Sequence, residues 1–121
     1  MVRPQLRRLH SPDIIDLQHQ APSDPNNFVF SLQAIIGPRD AEGEESFDFL
    51  VCTASWLGTE IKEKKYLFGR FYLIVEKYDY AILWSAIQQL CDSIHGSDWT
   101  AVAEQLSRYG HWEFQDYVPY N

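Results

Sequence analysis

The sequence predicts an α+β fold, an antiparallel sheet with helices packed on one face, formed as a single domain over residues 1–121. Segments with a period of two fall mainly in the first half of the chain, and segments with helical spacing fall mainly in the second. The composition, 45% hydrophobic with 15% aromatic, is that of a globular chain. A domain of this length buries about two-thirds of the surface its unfolded form exposes, so it needs no disulfide or metal to hold it.

Taken in order, Pro4 to His10 predicts a short first strand with a thin apolar face, and Ser11-Pro12-Asp13 a turn. Ala21 to Asn27, with two prolines and two asparagines, is a loop. Phe28, Phe30, Leu32, Ala34 and Ile36 then line one face of a strand, with Val29, Ser31, Gln33 and Ile35 on the other. Residues 37–43 form a polar connection whose length suits a hairpin with an extended acidic loop. In the next strand Phe47, Phe49, Val51 and Thr53 alternate with Asp48, Leu50 and Cys52. Thr53 is placed to cap a helix whose apolar face is Trp56, Leu57 and Ile61.

Lys62 to Lys65 puts cations at the tail of that helix, where its dipole favours them. Tyr66 to Val75 predicts a further strand, with Gly69 marking a bulge or a close backbone approach. Asp79 caps a helix on which Tyr80, Trp84, Ile87, Cys91 and Ile94 recur at steps of three and four, broadened by Leu83 and Leu90. His95-Gly96 stops it. Ser97 or Asp98 caps a last helix bearing Trp99, Val102, Ala103 and Leu106, and Gly110 is expected to end it in the left-handed conformation.

The net charge of −7 argues against nucleic-acid phosphate as a partner, because phosphate binding needs a basic footprint. A basic protein surface suits it better. Residues 71–121 hold seven acids against Lys77 and Arg108, and between Pro38 and Phe49 a lone Arg39 stands among Asp40, Glu42, Glu44, Glu45 and Asp48. Such acidic runs also serve solubility alone. There is no run of about 18 apolar residues and no apolar core after Arg3, Arg7 and Arg8, so neither a membrane span nor a signal peptide is expected and the expected location is cytoplasmic.

Candidate chemistry is thin. Cys52 and Cys91 sit in apolar stretches without a CxxC or Cys/His spacing and read as small buried hydrophobes. His10, His19, His95 and His111 lack metal-ligand spacing, and no nucleophile elbow, phosphate-cradling glycine loop, HExxH or calcium loop occurs. No catalytic residue, cofactor or metal site is therefore expected. A binding surface asks only for a rigid patch with charges at its rim and an aromatic anchor. Two stretches qualify, Asp40, Glu42, Glu44 and Glu45 on the hairpin loop, and Glu113, Asp116 and Tyr117 at the C-terminus.

Three stretches in colinear order carry a family resemblance: Glu44 to Leu57, then Gly69 to Val75 with Tyr78-Asp79, then Trp99 to Tyr117 with its run Tyr109-Gly110-His111-Trp112-Glu113-Phe114. Together they make most of the chain from residue 28 onward resemble the immunity protein 8 family of bacterial polymorphic toxin systems, which includes immunity proteins of contact-dependent growth inhibition. Ala54 departs from the pattern, where a proline is common, as does Gln115, where an acid is common.

The resemblance implies a protein that binds and neutralises a cognate toxin C-terminal domain in the cytoplasm and catalyses nothing. A basic nuclease is the expected toxin, since an acidic inhibitor can fill or bar its phosphate groove. The acids and Tyr117 named above are the expected contacts. One alternative is a secretion chaperone holding an effector segment on an exposed sheet face, where Val29, Ile35, Leu50 and Ile74 oppose the main aromatic faces. Another is a small hydrolase using Cys52. Strand order and oligomeric state stay open.

Overall fold

In a computed structural model that describes residues 1–115, the elements run β1 (Pro4–His10), β2 (Val29–Pro38), β3 (Glu45–Thr53), α1 (Ala54–Lys64), β4 (Tyr72–Val75), α2 (Tyr80–Asp92), α3 (Trp99–Leu106) and β5 (His111–Trp112). The sheet order is β1-β2-β3-β4, and β5 pairs with β3. β3 is its hub. It meets β2 along its length, β4 through Leu50 to Thr53, and β5 through Phe47 and Asp48.

The α+β class stands, but the sheet is mixed rather than wholly antiparallel. β4 runs parallel to β3, because α1 carries the chain back across the sheet before β4 begins. The predicted strand over 66–75 shortens to Tyr72–Val75, and Gly69, with open space around it, is neither bulge nor close approach.

One sheet face carries the core. Phe30, Leu32, Ala34 and Ile36 of β2 lie beside Phe47, Phe49, Val51 and Thr53 of β3, all buried. A register shift between Leu6 and Arg8 brings both Leu6 and Leu9 onto that face, so a strand with a thin apolar pattern still contributes twice. Leu83, Ile87 and Cys91 of α2 and Val102, Ala103 and Leu106 of α3 cover it. α1 differs from the expected packing, since none of its residues is buried.

The caps follow the sequence. The Thr53 hydroxyl accepts from Trp56 N at 3.2 Å, Asp79 accepts from Ala81 N at 3.0 Å, and Asp98 accepts from Ala101 N at 2.8 Å. Gly110 is a correction. It is not in the left-handed region, and its need for glycine is steric: a Cβ there would stand 2.7 Å from the Phe49 ring.

Candidate functional site

The acidic loop between β2 and β3 is built on arginines supplied by β1. Arg7 Nη2 donates to Pro38 O at 2.6 Å and to Ala41 O at 3.0 Å, tying two loop carbonyls to the sheet. Gly37 lets the loop fold back on itself, because a Cβ there would lie 2.0 Å from Gly43 O, and Gly43 turns the chain at φ +110°. Arg39 pairs with Asp92 of α2 at 3.0 Å. The loop is thereby fastened at both its shoulders.

The candidate acids separate into two groups on this frame. Asp40 and Glu42 are exposed and, among the described residues, have no ion pair or side-chain hydrogen bond of their own. Glu44 is held in a two-point pair with Arg8, at 2.6 and 3.1 Å. That pairing keeps its carboxyl below the ordinary value, so the contact persists above the usual carboxylate range and is lost as pH falls through the depressed value. Glu45 turns toward the body instead: one carboxylate oxygen accepts from Trp99 Nε1, and the other accepts from Trp112 Nε1 at 2.7 Å. Glu113, itself exposed, is tied to β3, accepting from Ser46 N at 2.7 Å while its own N donates to Ser46 O at 3.1 Å.

The two expected patches are thus joined through Ser46 and Glu45, one of which bonds Glu113 and the other Trp112. Asp116 and Tyr117 lie outside the described residues. Sequence reasoning missed Arg7 and Arg8 as the loop's supports. Their alternation in a strand facing an acidic hairpin was the signal available for them.

Both thiols are fully buried. Burial pushes the Cys91 thiol up to about 12 and raises that of Cys52 as well. Since the thiolate is the reactive form, iodoacetamide at pH 8 is expected to modify neither cysteine in the native protein and both in denaturant. Rapid native labelling of Cys52, read by mass spectrometry, would return it to consideration as a nucleophile. Among the described residues no three His, Cys, Asp or Glu side chains converge as a metal site, and no helix is long and apolar enough to cross a membrane.

These features define a small α+β protein with an acidic loop braced from its sheet. The family model described as Immunity protein 8 matches residues 4–117, and the chain belongs to that family. Its members are immunity proteins of polymorphic toxin systems, and the partner is a cognate toxin protein. Neither the curated proteins nor the solved structures supply a match.

Proposed function

We propose that this immunity protein neutralises a basic toxin domain in the cytoplasm, that the toxin is a nuclease, and that binding blocks its active site or substrate groove without any catalysis. The observation that carries this reading is the pair Asp40 and Glu42, held out on a loop that Arg7, Gly37 and Gly43 keep in shape. Acids without intramolecular partners, on a rigid support, attract a cationic surface at little ordering cost. Glu44 stays partly available, at 39% side-chain exposure. Glu45 and Glu113 act by holding the loop's base to β5, and Asp116 and Tyr117 remain proposed contacts.

The chaperone alternative fares less well. On the exposed sheet face His10, Gln33, Asp48 and His111 stand in register across four strands, interrupting the apolar positions an unfolded segment would need.

The test is association with the cognate toxin domain, followed by surface plasmon resonance. Asp40→Lys with Glu42→Lys is expected to slow association about tenfold at low salt, with the difference shrinking as salt rises. The melting temperature should hardly move, since both side chains are exposed. An association rate indifferent to both the double reversal and ionic strength would remove the steering role.

A further inference from the structure

The other edge of the sheet ends at β4, which is bonded on one side only. Leu50 N donates to Phe71 O at 2.9 Å. In a parallel ladder this directs the main-chain groups of Phe71, Leu73 and Val75 toward β3 and those of Tyr72 and Ile74 outward. Among the described residues no strand takes up those outward groups. Sheet edges are commonly blunted by lysine, proline or a bulge, yet the side chain at the middle of this one is Ile74, 50% exposed.

A groove runs beside that edge, between β4 and α2. One part, of about 540 Å³, is lined by Phe49, Leu73, Ala86 and Leu90 together with Arg70 and Arg108. A second part, of about 440 Å³, shares Leu73 and Ala86 with the first and continues past Ile82 to Glu76 and Asp79, with Lys77 between them. The loop leading into β4 adds two prominent aromatics: Tyr66 and Phe68 are 69% and 85% exposed, their rings edge to face at 5.9 Å. Arg70 lies over the Phe71 ring at 4.5 Å, and both residues line the groove.

We propose that the β4 edge is a second toxin-binding surface, which takes an extended segment of the toxin as an added strand. Main-chain pairing to Tyr72 and Ile74 supplies its direction, an apolar side chain enters the groove, and an acidic residue meets Arg70 and Arg108. The acid is required by charge complementarity, since this part of the groove carries Arg70 and Arg108 and no acid, within a chain of net charge −7. The proposal rests on the toxin-binding reading above. It adds an anchor that holds the complex to the acidic loop that speeds its formation.

Ile74→Pro removes one outward N–H and leaves the β3 ladder its bonds, as proline on an edge strand permits. It is expected to weaken affinity for the cognate toxin domain about 30-fold, mainly through faster dissociation. Arg70→Glu with Arg108→Glu, two exposed positions, should weaken it comparably. In the unmodified protein, amide exchange at Tyr72 and Ile74 should slow on binding. If the wild type binds but both variants bind equally well and those amides stay unprotected, the edge site is overturned and the immunity reading survives. If the wild type does not bind the toxin domain at all, that underlying reading fails with it. Should Ile74→Pro not fold, the arginine pair and the amide exchange decide the matter. A dimer seen by light scattering without toxin, and dissolved by the arginine reversals, would give the edge to a second copy of this chain and overturn the proposal.

Discussion

Phe47→Ala is expected to lower the free energy of unfolding by about 3–5 kcal/mol, a large part of the margin on which a domain of this size survives. Phe47 is the largest side chain in the structure with no exposure, and it belongs to the strand that every other strand but β1 joins. Its ring stacks on Trp112 at 6.4 Å and 9°, so truncation opens a cavity between the hub strand and β5 and removes the platform on which Trp112 rests. Urea unfolding followed by circular dichroism would show the midpoint falling by about 1–5 M, given a slope of roughly 1–3 kcal/mol per molar. A midpoint unchanged within error would mean that β5 packs independently of the core.

The second large effect is expected at Glu45. Each hydrogen bond to a charged acceptor contributes about 1.5–3 kcal/mol, and this carboxylate receives two indole donors from different elements. Glu45→Ala leaves both donors to find water where the rings are half-buried, and a loss of about 2–4 kcal/mol follows. Glu45→Gln is the sharper probe, because its amide keeps one acceptor and turns a donor toward the second indole. Both variants should lower the melting temperature and alter tryptophan fluorescence, whereas Glu42→Gln should do neither. Protection against the toxin lost in a Glu45 variant is to be read as lost stability unless binding is also impaired well below its melting temperature. Equal melting temperatures for Glu45→Ala and wild type would return Glu45 to the set of free surface acids.

Much of this fold was legible because local signals and tertiary demands agree. Thr53, Asp79 and Asp98 cap where their side chains can reach first-turn amides, and alternation along β2 and β3 marks the faces that are in fact buried. The parallel pairing of β4 was hidden because strand direction depends on where α1 returns the chain, and no residue of β4 encodes that. The Trp56, Leu57 and Ile61 stripe suggested a packed helix, yet α1 buries none of them, since the core face is already covered by α2 and α3.

The candidate acids show the same division. Their sign and clustering were plain in the sequence, but their partners were not. Glu44 meets a residue 36 positions away and Glu45 one 67 positions away, separations at which charge alone cannot tell a free carboxylate from a structural one. The strand expected from Tyr66 onward absorbed Tyr66 and Phe68 into a sheet, and only the three-dimensional placement shows them standing out from it.

The closure of β5 on the hub strand also sets a schedule for synthesis. A ribosome adding about 5–20 residues per second needs roughly 3 to 13 s to travel the 67 positions from Glu45 to Trp112. Once Thr53 is made, β1, β2 and β3 are free to pair, while Glu45 waits 54 positions for the Trp99 indole and 67 for that of Trp112, and the base of the acidic loop is untethered until they arrive. A chain caught before that point carries the acidic loop without the tie at its base that the finished fold supplies.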